Sequence, residues 1–533
     1  MNLQNIKSLK KKIFNFFYLI IIAIFSFSVN YYYGFIGINP IDQFTIFNSG
    51  YLIKNSNLPF KDYWTITGPL LDLIQYLFFL IFEINWNAFV LHSSTVNLIL
   101  ATLSYFFFKR IKLRSEYCFI YSIILSILFY PTIGTPFVDY HGYFFSIIFI
   151  YFLILAIKFE KNKYWFLLPI LFFLSFFSKQ TPISYILIFV FFLIIYYYFF
   201  FNKKFLKYLF YSLFFSLIII GLIFNINKIN LKDFLDQYLF FASTIGKQRL
   251  FASDMIFPFE FKRVIWRFKL IHISYFFLIF LLVKEIKNNF LFIKQKDFLI
   301  ILIVIIFNNI CVFNQLLTLN IIFIYFLIPI NIAICHQYLL KYYNYKKFIL
   351  INLSFLIICT GYYFLEYVDK RRHSQFRYLK NSNNIIFTDA KALTSQLSGL
   401  QWSSSLNKNS KYEIYQLNKI IKKIMHFQKK NKDNFILITD YQFIFSAFKI
   451  NNKQLNKWYH PGVSYPNPDN KYFSSYKNYV KNFIIKNNVK KIIFIYPAHF
   501  DNEKSFMEAF VASCYFKEEK LKNLTIYNIN KCI

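Results

Sequence analysis

The chain has 533 residues, 57% of them hydrophobic and only 16% charged, with 75 Phe and 43 Tyr against 11 Gly and 13 Pro. A soluble globular protein carries about 25% charged residues, so a purely soluble enzyme is all but excluded, and so large an apolar fraction excludes disorder. The formal charge of +35 does not point to nucleic acid. Lys, Asn, Ile, Phe and Tyr are inflated together, as codon bias from an AT-rich genome produces, and membrane proteins collect Lys and Arg in cytoplasmic loops.

The chain opens with Lys7, Lys10, Lys11 and Lys12 ahead of an apolar run at about 13–29. No small-residue cleavage site follows at Val29-Asn30-Tyr31, so a retained first helix is expected. A bilayer core of about 30 Å takes about 17–25 apolar residues per helix. Further spans are expected at about 88–108, 115–131, 143–157, 164–178, 183–201, 208–224, 270–283, 298–312, 321–338 and 348–365. The stretch 69–82, PLLDLIQYLFFLIF, carries Asp72 and Gln75 on one side of a helix and reads as an amphipathic helix lying in the interface.

Lysine placement selects that reading. With eleven crossings, the basic clusters at 109–114, 158–163, 203–207, 284–296 and 341–347 share the side of the N-terminus, while loops 131–142 and 313–320 hold no Lys or Arg. A crossing at 69–82 inverts the pattern and violates the positive-inside rule in the later short loops. The N-terminus is therefore expected in the cytoplasm and the C-terminus outside. Loop 225–269 is basic yet falls on the outer side; long loops translocate largely regardless of charge.

From about residue 366 the composition turns polar and stays so to Ile533, enough chain for one core of its own. NFILITDY (434–441) and VKKIIFIY (489–496) read as buried strands, TIYNIN (525–530) as a third, with helical patterns at about 411–430, 470–487 and 503–516. Such alternation suggests a small α/β domain. The expected architecture is a polytopic α-helical membrane protein of about eleven transmembrane helices over 1–365, with a C-terminal extracytoplasmic α/β domain over 366–533.

Cys118, Cys311, Cys335 and Cys359 lie in or beside spans and read as small apolar residues. Cys514, late in a predicted helix, and Cys532, near the terminus, are the two in the tail, and a disulfide closing the last strand is expected in an oxidising compartment. No Cys/His spacing supports a zinc site. KWYHPGVSYPNPDNKYF (457–473) is rich in aromatic and amide groups, suited to a sugar-binding surface or to an ordered Pro-rich loop.

The residues able to carry chemistry are acids and amides in the outer loops. Asp42 sits in INPIDQFTIF, and Asp62 in GYLIKNSNLPFKDYWTITGPL. PTIGTPFVDYHGYFF holds Asp139 and His141, and SKQTP holds Lys179 and Gln180. Carboxylates at membrane depth are costly unless paired or functional. Asp42 has a structural alternative, capping a helix that begins at Gln43; Asp62 has another, anchoring its loop against headgroups.

An early loop Asp, then a stretch ending in LPFKD and GP, then a helix, resembles the first outer loop of GT-C glycosyltransferases, closest to the glycosyltransferase family 39 group of protein O-mannosyltransferase-like and aminoarabinose-transferase-like enzymes. FVDYH resembles that group's second acidic motif, and the resemblance covers about residues 13–210. It implies an enzyme of the bacterial inner membrane that moves a sugar from a polyprenyl-phosphate donor to a lipid, glycan or protein acceptor at the outer, periplasmic face, with no nucleic acid involved. It implies Asp42 as the base, with Asp139 in support, binding acceptor or a divalent metal that His141 would share. Asp62 and Gln180 would support the acceptor. Cations must meet the leaving phosphate, and Lys247 and Arg249 in STIGKQRLF, with Lys179, are the candidates. Two other classes fit many spans: a lipid-linked oligosaccharide polymerase or ligase, and a flippase or transporter. The latter favours ionisable residues near mid-membrane, whereas here polar groups gather at the outer ends.

Overall fold

The computed structural model describes residues 3–251, 261–318, 323–343, 346–369, 387–404, 406–407, 409–430, 434–450, 453–496, 503–511, 514–521 and 523–532. Backbone surrounded by lipid must satisfy its own hydrogen bonds, and the long apolar runs accordingly fold as helices; the structure is 72% helical. Helix α1 (Leu3–Tyr33) leads through a short strand, β1 (Ile36–Ile38), into α2 (Pro40–Lys54), α3 (Pro69–Phe82) and α4 (Trp86–Arg110). Short connections join α5 (Ser115–Leu128), α6 (Val138–Phe159), α7 (Asn162–Ser178), α8 (Ile183–Phe200) and α9 (Phe205–Asn227). Next come α10 (Leu231–Phe234), a wider-turn stretch (Leu235–Phe241) and α11 (Ala242–Phe251), so much of the long basic loop is helical. Helices α12 (Lys269–Asn288), α13 (Lys296–Thr318), α14 (Leu327–Tyr342) and α15 (Lys346–Tyr363) complete the apolar part.

Among the described residues, α1, α4, α5, α6, α8, α9, α13 and α15 are long and apolar enough to cross a membrane, eight helices in all. The chain is a polytopic helical membrane protein. Each of the eleven segments expected to cross overlaps a helix, the one expected from 321 beginning its helix only at Leu327; α7 and α14 are shorter than a span, and α12, though 20 residues long, carries Lys269, Lys284, Glu285 and Lys287. Helix α3, with 14 residues, reaches about 21 Å, well under a bilayer core of about 30 Å.

The polar remainder holds β2 (Thr388–Asp389), β3 (Gln401–Ser404), α16 (Ser410–Lys430), β4 (Asn434–Ile438), α17 (Phe443–Ala447), α18 (Phe473–Lys486), β5 (Val489–Ile495), α19 (Glu503–Phe510), β6 (Cys514–Leu521) and β7 (Leu524–Cys532). The three strands expected from apolar runs are β4, β5 and β7. The helix expected over 503–516 stops at Phe510, and Cys514 opens β6 instead of closing a helix. The reason is long-range: β7 provides the ladder, pairing with β6 from Cys514 opposite Cys532 to Leu521 opposite Leu524, and Asn523 has φ 62°, a conformation tight hairpins favour.

By contacts the chain forms two compact units, each built from three stretches. The first comprises Met1–Gly34, Val90–Ile220 and Phe251–Ser374; the second comprises Phe35–Phe89, Gly221–Leu250 and Gln375–Ile533. This interleaving differs from a division into consecutive blocks at 365/366, because the loops around α2 and α3 group with the tail.

In the first unit, buried polar side chains satisfy one another. Asn308 and Asn331 exchange two amide hydrogen bonds of 2.8 Å, and Asn331 also donates to Ser274. Asn97 donates to the carbonyls of Ser26 and Ser126. Such bonds hold helices together where lipid provides no hydrophobic drive. In the second unit a four-stranded sheet has the order β4-β5-β7-β6, with β4 and β5 parallel and the rest antiparallel. Ile436, Ile492, Phe494 and Tyr476 lie in its core, and Trp64, from the loop before α3, packs into the same cluster. The backbone N–H of Trp64 donates to Leu455 O and that of Lys457 to Trp64 O, both at 2.9 Å. A second sheet, β1-β3-β2, pairs β1 in parallel with β3 of the tail.

Candidate functional site

Asp42 lies in the first turn of α2, half-buried. The helix starts at Pro40, two residues before Asp42, so Asn39 is the N-cap. That corrects the expectation of a helix beginning at Gln43: Pro at the first helical position has φ preset and no N–H to satisfy. Gln43 Oε1 accepts the Asn39 backbone N–H at 2.7 Å, which satisfies the N-cap's own donor. The Asn39 side-chain amide donates to Asp42 Oδ2. Asp42 is therefore an oriented carboxylate beside the positive end of a helix.

In the first unit, Asp139 occupies the first turn of α6, and Lys179 directly follows α7. The Lys179 ammonium donates to Asp139 Oδ1 at 2.6 Å, with side-chain exposures of 13% and 7%. Sequence showed no cation beside Asp139; the antiparallel α6–α7 packing brings one from 40 residues away. An acid at a helix N-terminus and a base at a helix C-terminus each complement the helix dipole. Gly142 makes the approach possible, since a Cβ there would lie 3.0 Å from Lys179 Cβ.

His141, two positions after Asp139, points elsewhere, as helical residues two apart do. Its Nε2 meets His92 Nε2 at 2.9 Å, and its Nδ1 bonds to the Tyr130 hydroxyl, all three side chains being buried. Asp139 and His141 thus engage different partners and do not converge on one ion. Among the described residues no group of three or more His, Cys, Asp or Glu is placed to hold a metal. His92 escaped the sequence reading, although HSS within an otherwise apolar span was a signal for it.

Lys247 and Arg249 lie on α11. Arg249 is half-buried, and the Lys247 side chain falls outside the described residues. Asp62 Oδ2 accepts the Leu58 N–H at 3.0 Å, a loop-closing bond, and its other oxygen is 4.0 Å from Lys453. Gln180 is half-buried, and its backbone carbonyl accepts from the Ser184 hydroxyl. Cys514 is disulfide-bonded, and strand register sets it opposite Cys532; Cys118, Cys311, Cys335 and Cys359 are free and buried.

Two buried polar centres of the second unit were not legible as such. Lys457, from the aromatic-rich tail loop, donates to both oxygens of Asp72 at 2.7 Å and to Thr67 O at 3.1 Å, while Ser49 donates to Asp72 at 2.6 Å. The loop is thereby an ordered structural element, with Tyr459 and Tyr465 buried. Glu413 accepts from Trp402 Nε1 at 2.9 Å, from Ser404 and from the Tyr441 hydroxyl at 2.7 Å. Burial pushes its carboxyl above the usual glutamate range and the Tyr441 hydroxyl well above its own.

No protein-family model matches this chain, and no curated protein shows significant similarity to it.

Proposed function

We propose that this protein is an integral membrane glycosyltransferase of the GT-C kind, moving a sugar from a polyprenyl-phosphate donor to a lipid, glycan or protein acceptor at the outer face of the membrane. The observation that supports it best is the setting of Asp42: its carboxylate, half-buried in the first turn of α2, is held in orientation by the side-chain amide of Asn39. In the reaction, the acceptor hydroxyl gives its proton to Asp42 and its oxygen bonds to the anomeric carbon. The bond from that carbon to the phosphate oxygen breaks, and polyprenyl phosphate leaves with the electron pair. Lys179 is assigned to the phosphate, with Asp139 orienting the ammonium. Eleven crossings, a cytoplasmic N-terminus and an extracytoplasmic C-terminal region in a bacterial inner membrane belong to the same proposal.

A transporter is the second reading, and the Asn308–Asn331–Ser274 cluster inside the helical unit is what favours it. Its amides are engaged with one another, which suits helix association as well. The discriminating experiment is transfer from radiolabelled polyprenyl-phosphate sugars in proteoliposomes, wild type against Asp42→Asn, with insertion and folding verified. Wild-type transfer that falls about a hundredfold or more in the variant supports the proposal. Equal transfer removes Asp42 from the base role, and no transfer across a broad donor panel sets the enzyme reading aside in favour of transport.

A further inference from the structure

Within the second unit, three stretches distant in sequence enclose a cleft of about 340 Å³, inside the range of small-molecule sites (~300–1,000 Å³). One wall is a polar stripe of α18: Ser475, Asn478, Asn482 and Lys486 recur at intervals of three and four and so share a helix face. The facing wall brings Asp62 from the loop before α3 and Asp233 and Asp236 from the α10 segment. Trp64 and Tyr479, 5.5 Å apart between ring centroids, contribute aromatic surface.

These groups are not spent on the fold. Among the described residues, Asp233, Asp236, Ser475, Asn478, Asn482 and Lys486 make no side-chain hydrogen bond or ion pair. The indole N–H of Trp64 is buried without an acceptor. The charges balance as well, with Lys61, Lys453 and Lys486 against Asp62, Asp233 and Asp236. Balanced charge disfavours both a phosphate and a bare cation. Acids and amides next to aromatic rings instead offer what a hydroxyl-rich, uncharged molecule needs: acceptors and donors for its hydroxyls and apolar faces for its C–H groups.

We infer that this cleft binds a short neutral saccharide. As the docking place of a glycan acceptor it rests on the transfer reading; as a saccharide site it stands without it. The test uses the full chain in nanodiscs on an array of neutral oligosaccharides, followed by titration of the best-held glycan. Wild type and Asp42→Asn should bind alike. The double variant Asp236→Asn/Asn482→Ala, which alters two side chains that hold nothing else, should bind about tenfold more weakly, the loss expected from one or two hydrogen bonds. Trp64→Phe, which keeps an aromatic side chain but removes the N–H, gives a second route to the same weakening. The inference is overturned if wild type retains no glycan, if the double variant binds as wild type does, or if inorganic pyrophosphate displaces the glycan from wild type. Glycan binding by a protein that transfers no sugar would sink the transfer reading and leave the saccharide site standing.

Discussion

The Lys457 ammonium lies 2.7 Å from both carboxylate oxygens of Asp72, and neither side chain is exposed beyond 1%. The pair joins residues 385 apart in sequence. It also gives α3 its two faces: Asp72 and Gln75 are buried, while Leu73, Leu77, Leu80 and Ile81 are exposed. A short helix held by its polar side and apolar on the other is suited to lie in a membrane interface.

Breaking that pair from one side leaves a buried charge without its partner. Asp72→Asn or Lys457→Met should each destabilise by about 3–5 kcal/mol, and Asp72→Leu/Lys457→Met should be less destabilised than either single variant. Thermal unfolding in detergent, followed by size-exclusion chromatography, reads this directly; a double variant worse than both singles contradicts it.

The Asp139–Lys179 pair separates charge balance from chemistry. Lys179→Met should cost about 3 kcal/mol by stranding a mostly buried carboxylate. The exchange Asp139→Lys/Lys179→Asp should recover part of that stability but not transfer, because the ammonium would then sit on the wrong helix. Recovery of transfer by the exchange would remove Lys179 from the phosphate role.

Glu413 predicts a pH dependence of a definite sign. Its folded pKa is raised, with burial as the largest cause, so the folded state holds the proton more tightly than the unfolded chain. The unfolded state then binds fewer protons, and stability falls as pH rises from the ordinary glutamate value of about 4.3 through the folded value. Glu413→Gln should flatten this part of the melting-temperature profile. Glu413→Ala should lower stability at every pH by about 1–3 kcal/mol, because the Trp402 N–H loses its acceptor.

The tail hairpin predicts a specific cross-link. Peptide mapping without reductant should recover Cys514 joined to Cys532, while Cys118, Cys311, Cys335 and Cys359 react with alkylating reagent only after denaturation, being buried. Cys514→Ser should cost the tail about 3 kcal/mol, as expected for closing a loop of this length. Quantitative alkylation of Cys514 in the native protein would rule the link out.

The amino-acid sequence by itself determined what depends on neighbours along the chain. Apolar runs became helices at the expected positions because lipid-facing backbone has few other choices. The runs at 434–441, 489–496 and 525–530 became β4, β5 and β7 because short β-branched and aromatic stretches fill a sheet core. Asp42, Asp139 and Lys179 were legible as charged residues at the ends of apolar runs. Tertiary structure alone decided which groups meet. Asp139 found Lys179, His141 turned to His92 and Tyr130, Asp72 found Lys457, and Cys514 changed from helix to strand once β7 offered it a ladder. Helical and strand periodicities are local and so can be read from the sequence, whereas ion pairs, amide pairs and strand partners are set by contacts between distant segments, whose energies appear only when packing brings those segments together.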